Sequence, residues 1–162
     1  MKVRDVMIRN VITLSPKTSY EEAARILYGN HISGAPVVNE RGTIVGMISE
    51  KDLFRALYPT YAEYCAEPQA FYDWEGREHT IEQVRSQPIE RYMSEPAVTV
   101  DESDPILRAG GLMLAHSLHR LPVTRHGALA GIVTREAIYQ TILQHQLFSR
   151  YRKVATAIHQ NL

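Results

Sequence analysis

At 162 residues with 44% apolar side chains, the chain is long enough to bury a core as one domain or as two small intertwined halves. Eighteen basic residues balance eighteen acidic ones, so no net basic field is available to gather nucleic acid non-specifically. Cys65 is the only cysteine, which excludes an internal disulfide and a cysteine-built metal site, and no stretch approaches the roughly 20 apolar residues of a membrane span. A cytoplasmic protein with no signal-peptide core is expected.

Taken in order, residues 11–14 are a short β-branched strand candidate. Tyr20, Ala23, Ala24 and Leu27 then fall at i, i+3, i+4 and i+7, the apolar stripe of a helix. Residues 35–38 form a second strand with a proline at its start, and a glycine-containing turn leads to a third over residues 44–49. A helix over residues 50–57 follows, with acids in its first turn, which makes Ser49 its N-cap. The Ser49 hydroxyl and the first helical N–H groups would face the end of the strand, and Asp52 would face the same space. That unit suits a ribose and a phosphate.

Residues 58–88 differ in character. They hold Tyr58, Tyr61, Tyr64, Phe71, Tyr72 and Trp74 interleaved with Glu63, Glu67, Asp73, Glu75 and Glu78. A short helix is predicted after Pro59 and another turn or two over residues 81–87. Stacking on single-stranded nucleic acid would need basic residues among the aromatics, and the interleaved charge is mainly acidic. A packed insert that clasps the flanking segments is the simpler expectation, and an acidic, aromatic surface for a partner is the functional one.

Beyond the insert the first pattern returns. A shift of 86 residues lays Met7 on Met93, Thr13 on Thr99, Ala23 on Ala109 and Pro36 on Pro122. After the turn the shift drops to 85, so that Gly42 meets Gly127, Gly46 meets Gly131 and Ser49 meets Thr134, as a single-residue deletion in a surface hairpin would produce. Residues 97–100, 121–124 and 129–134 are the corresponding strands, with Ile106, Ala109, Gly110 and Met113 as the helical stripe. After Thr134 the closing helix is predicted to run long, with Ile138, Ile142, Tyr151, Val154, Ala155 and Ile158 at helical spacing. The layout is a first repeat over 1–57, an insert over 58–88, a second repeat over 89–148 and a helical extension over 149–162. Each repeat reads β-α-β-β-α, an α/β (α+β) unit whose small sheet needs a second copy to cover its open face.

Val6-Met7, residues 11–14, the run Ile32-Ser33-Gly34-Ala35-Pro36-Val37-Val38, and Gly46-Met47-Ile48-Ser49 with Asp52 resemble the tandem CBS domain pair, named after cystathionine β-synthase and often called a Bateman module. The second copy carries the same resemblance in Tyr92-Met93, residues 97–100, Leu118-His119-Arg120-Leu121-Pro122-Val123 and Gly131-Ile132-Val133-Thr134. No single block is distinctive, but their order and twofold occurrence are. The resemblance covers residues 3–57 and 89–143 and leaves out the insert and the extension.

The resemblance implies a pseudo-twofold pair with two clefts between the repeats, binding AMP, ADP or ATP, less commonly S-adenosylmethionine or NAD, as a regulatory ligand. It implies a sensor, not a catalyst, in a homodimer that acts on a separate, unidentified partner protein. The main cleft would use Ser49 and Asp52, with Asp52 accepting from ribose hydroxyls, and Met93, Val98, Leu118, His119 and Arg120 of the opposite repeat around the adenine and phosphate. The second cleft would use Thr134 with Ile12, Ile32, Ser33 and Gly34. There Ala137 stands where the first repeat has Asp52. Losing a charge-assisted hydrogen bond costs about 1.5 to 3 kcal/mol, so the second cleft is expected to be empty or weaker.

Other constellations carry less. His116 and His119 form the closest histidine pair without a third ligand at readable spacing, so no metal is expected. Arg150, Arg152 and Lys153 form a basic cluster of the kind favoured at helix C-termini. No phosphate loop, nucleophile elbow or zinc-protease motif is present, and Cys65 has no base at readable spacing; no catalytic residue is assigned. The contrasting reading is a protein-interaction module with vestigial clefts, acting through the insert and the terminal helix; a nucleic-acid binder or a small-ligand enzyme has less to support it.

Overall fold

The computed structural model of the chain describes residues 1–66 and 78–148. The aromatics Phe71, Tyr72 and Trp74, the acids Glu67, Asp73 and Glu75, and the expected extension over 149–162 lie outside the described residues. The chain divides into two compact units, residues 11–97 and residues 1–10 with 98–162.

In the first unit, helix α1 (Tyr20–Gly29) starts at Ser19, whose Oγ accepts the Glu22 N–H at 3.2 Å. Its stripe of Tyr20, Ala23 and Leu27 is buried, and the chain leaves the helix through His31 at φ 53°. Strand β1 (Gly34–Val38) pairs antiparallel with β2 (Ile44–Ser49), Gly34 opposite Ser49. Helix α2 (Glu50–Arg55) follows, shorter than the predicted 50–57, and Leu53 anchors it in the core.

The strand predicted over residues 11–14 pairs only at Leu14, which lies parallel to Val37. Pro36 accounts for the shortfall. Leu14 N–H donates to the Pro36 carbonyl and Val38 N–H to the Leu14 carbonyl. The next step of that ladder would need an N–H at residue 36 for the Ile12 carbonyl, and proline has none. Pro36 is thus an interior residue of its strand, not its first. The second unit repeats the arrangement. Strand β3 (Val100–Asp101) pairs parallel with β4 (Arg120–Arg125) from Val100 onward, and Pro122 has no N–H for the Val98 carbonyl.

The insert contributes α3 (Tyr61–Ala66) and α4 (Glu78–Val84), and a 3-10 turn at Ile89–Arg91 opens the second repeat. Thr60 and Glu63 form a capping box at the start of α3, Thr60 N–H donating to Glu63 Oε2 at 2.6 Å. The return segment is bonded to α1 and the turn before it: Tyr20 N–H to Gln87 O at 2.8 Å, Glu21 N–H to Arg85 O at 3.0 Å and Ile89 N–H to Thr18 O at 2.9 Å. Ile89 is fully buried in one core with Leu27, Val37 and Ile48.

In the second unit β4 pairs antiparallel with β5 (Ala128–Thr134), while α5 (Ile106–Ala115) and α6 (Arg135–Ile142) cover the sheet. The β4–β5 hairpin closes through two residues, His126 at φ 52° and Gly127 at φ 80°. The β1–β2 connection uses residues 39–43 instead. This is the site of the single-residue deletion. Beyond α6 the helix continues as a π-helical turn, Leu143–Phe148.

Each unit is finished by the leading segment of the other repeat. Met47 and Ser94 exchange backbone hydrogen bonds of 3.0 and 2.8 Å, and Ile8 and Ile132 do the same at 2.9 Å in each direction. Val3 and Met7 accordingly lie in the core of the second unit, together with Val100, Met113, Leu121 and Val133.

Candidate functional site

The end of β2 fixes the first set of polar groups. Ser49 leaves the strand with extended backbone and caps α2: its Oγ accepts Asp52 N–H at 3.3 Å, while Asp52 Oδ2 accepts Ser49 N–H at 2.9 Å and Ser49 Oγ–H at 2.5 Å. The carboxylate is therefore held through one oxygen. The other, Oδ1, lies 3.5 Å from Ser94 Oγ. Ser94 was not singled out from the sequence, where it aligns with apolar Ile8 and belongs to no motif.

Glycines let these segments meet. A methyl group on Gly34 would stand 2.8 Å from the Ile48 carbonyl oxygen and 3.2 Å from Ser49 Cα, and one on Gly46 would stand 2.8 Å from the Ser94 carbonyl oxygen and 3.0 Å from Met93 Sδ. Met93 packs on this unit, beside the strand that carries Ser49. Ile32 is half-buried against the same core, and the Ser33 carbonyl accepts Glu50 N–H at 3.2 Å. Ser49, Asp52, Met93, Ile12, Ile32, Ser33 and Gly34 thus belong to one compact unit.

Val98, Leu118, His119, Arg120 and Thr134 belong to the other. Thr134 caps α6 by accepting Ala137 N–H at 3.2 Å and sits opposite Arg120 in the β4–β5 register. The His119 carbonyl accepts Arg135 N–H at 2.8 Å, and its side chain is exposed. Val98 and Leu118 are half-buried against the core of this unit. Thr134 repeats the cap of Ser49, but Ala137 supplies no carboxylate to return the bond.

Asp52 also lines a chamber of about 630 Å³. Its other walls are Arg55 and the residues after it, Tyr58, Thr60 and Glu63 from the insert, and Thr80, Arg91 and Tyr92 from the return segment. Tyr92 stands edge-on to Tyr20, ring centroids 5.9 Å apart. The Tyr20 hydroxyl donates to the Leu53 carbonyl at 2.9 Å. Its burial, and secondarily Tyr92 nearby, hold its pKa above the ordinary tyrosine value. Arg55 and Arg91 escaped the sequence reading; the one available signal was Arg55 three residues after Asp52, on the same helix face. Among the described residues no cluster of three or more His, Cys, Asp or Glu side chains is gathered, and no helix is long and apolar enough to cross a membrane.

Comparison with known proteins follows the same division into two copies. The CBS domain family matches residues 3–59 and 89–144. An uncharacterized protein of Methanocaldococcus jannaschii is 29% identical over 141 residues, 87% of this chain but 32% of that protein, and a second from the same organism is 26% identical and matched over 39% of its length. The chain thus spans well under half the length of these two curated relatives. Among solved structures, CBSX2 of Arabidopsis thaliana in complex with AMP is similar with a TM-score of 0.67 and 27% identity over 88% of this chain and 96% of that one. The CBS domain pair of protein MJ0100, in complex with 5′-methylthioadenosine and S-adenosyl-L-methionine, has a TM-score of 0.65 and 25% identity over 88% of this chain and 95% of the other.

Proposed function

The chain belongs to the CBS domain family, and from that premise we propose that it is a non-catalytic regulatory module that binds an adenosyl ligand, with AMP, ADP or ATP favoured over S-adenosylmethionine or NAD. The observation that carries this reading is the Ser49–Asp52 capping box: it holds the carboxylate by Oδ2, leaves Oδ1 near Ser94, and stands on the wall of the chamber. A carboxylate oriented in that way accepts from the two hydroxyls of a ribose. The AMP complex of CBSX2 supports the ligand class. Thr134, lacking a carboxylate at residue 137, makes the second site the weaker one. In this reading the protein is a cytoplasmic homodimer that signals to a separate protein, and a ligand affects that partner only as far as its affinity differs between the module's conformations.

Calorimetric titration with AMP, ATP, S-adenosylmethionine and NAD tests it, repeated on Asp52→Ala. One ligand bound per chain, and lost in the variant, is the expected result. No binding to a folded sample would overturn the reading. It would favour the second one, a protein-interaction module, for which the exposed aromatics Phe54, Tyr58 and Tyr61 on α2 and the insert are the supporting observation.

A further inference from the structure

We propose that the chamber beside Asp52 receives the phosphate end of the adenosyl ligand, with Arg55 and Arg91 as its phosphate-binding residues and the insert as a wall of the site. The inference rests on the adenosyl reading above and specifies the ligand as a nucleotide, against an uncharged nucleoside or a sulfonium compound. Asp52 and Arg55 lie one turn apart on α2, so a ribose held at Asp52 Oδ1 is a helical step from a guanidinium. Arg91 approaches the same space from the 3-10 turn anchored by fully buried Ile89. Both arginines therefore stand on elements fixed in the core, one by Leu53 and one by Ile89.

The lining carries two arginines and two carboxylates, and it is the carboxylates whose oxygens are already engaged. Of the carboxylates in the lining, Asp52 Oδ2 already accepts from Ser49, and Glu63 accepts from Thr60 N–H and Oγ–H. Neither arginine forms an ion pair with a carboxylate among the described residues, and Arg91 donates to the neutral side-chain amide of Gln87. A guanidinium presents a planar fork that matches phosphate oxygens, and two of them on one chamber, with the Thr60 and Thr80 hydroxyls, suit a phosphate or a short polyphosphate. The volume of about 630 Å³ lies in the range of small-molecule sites, roughly 300 to 1,000 Å³.

The test is calorimetric titration of the full chain with adenosine, AMP, ADP and ATP, carried out on the natural protein, Arg55→Gln, Arg91→Gln and the double variant. Both side chains are exposed, so the variants should melt at the temperature of the natural protein. The expected result is tighter binding of the phosphorylated compounds than of adenosine, a loss of roughly tenfold in nucleotide affinity for each arginine removed, and adenosine affinity unchanged within about twofold. Adenosine and nucleotides binding equally, or a nucleotide preference that survives the double variant, would overturn the proposal and leave the adenosyl reading standing. Binding of none of the four to folded protein would overturn the proposal, and the adenosyl reading with it where S-adenosylmethionine and NAD fail to bind as well.

Discussion

Met93 Sδ stands 3.0 Å from the place a methyl group on Gly46 would take, and the carbonyl oxygen of Ser94 stands at 2.8 Å. The strand next to the candidate site is thus in direct contact with the leading segment of the second repeat. Gly46→Ala should push Ser94 away from Asp52 and destabilise the fold by about 1 to 3 kcal/mol, as overpacking does. Gly131→Ala should do the same in the second unit, where the added carbon would lie 2.8 Å from both Ile8 O and Met7 Sδ. Urea unfolding would show a lower midpoint for each variant; unchanged midpoints would mean that the segments yield without cost.

Ala137→Asp should complete the box that Thr134 leaves half-made. Thr134 Oγ1 already accepts the residue 137 N–H at 3.2 Å, so the new carboxylate would return a bond to Thr134 as Asp52 does to Ser49. We expect a gain of about 0.5 to 1 kcal/mol in stability and, in titrations, a second bound nucleotide per chain. A stabilised variant with unchanged stoichiometry would restrict the effect to the cap.

Tyr20→Phe should cost about 1 kcal/mol by leaving the Leu53 carbonyl without its donor. It should also alter the alkaline limb of the stability curve. Because the folded pKa of Tyr20 is raised, chiefly by burial, its contribution is complete below the ordinary value of 10.0 and is lost as pH climbs from there through the folded pKa. The natural protein should therefore lose stability faster than Tyr20→Phe above pH 10; parallel curves would contradict this.

Gly111 and Gly127 should respond to alanine with opposite signs. Gly111 is exposed within α5, with open space where a methyl would go, and Gly111→Ala should stabilise by up to about 1 kcal/mol. Gly127 holds φ 80° in the β4–β5 turn, and Gly127→Ala should destabilise by about 1 to 2 kcal/mol. Thermal melts of the two variants suffice, and shifts in the same direction would refute the assignment of backbone roles.

Much of this was legible in the chain because the repeat fixes it: the order of elements, the hairpin deletion at residues 126–127 and the Ser49 cap all follow from aligned residues and local chemistry. From sequence Pro36 and Pro122 are only tolerated near a strand's start, whereas in the fold each ends the pairing of a neighbour, leaving residues 11–14 with a single bridge at Leu14. Met93 aligns with Met7 and lies in the second repeat as the family match bounds it, yet it packs on the core that holds the first; alignment reports equivalence, and which core a segment enters is decided by long-range packing. Arg91 and Ser94 were hidden for the same reason, since their relation to Asp52 spans some 40 residues with no periodicity to reveal it.

The exchange of leading segments also sets a timetable for synthesis. Residues 11–97 are continuous, so their unit can close once Ser94 has left the ribosome, well before β5 is made. Residues 1–10 are made before that unit and must wait for Ile132, the partner of Ile8, to appear. During that interval Val3 and Met7, destined for a dry interior, face water without a strand to receive them. A segment made early thus docks late, and its docking closes the long loop between Ile8 and Ile132.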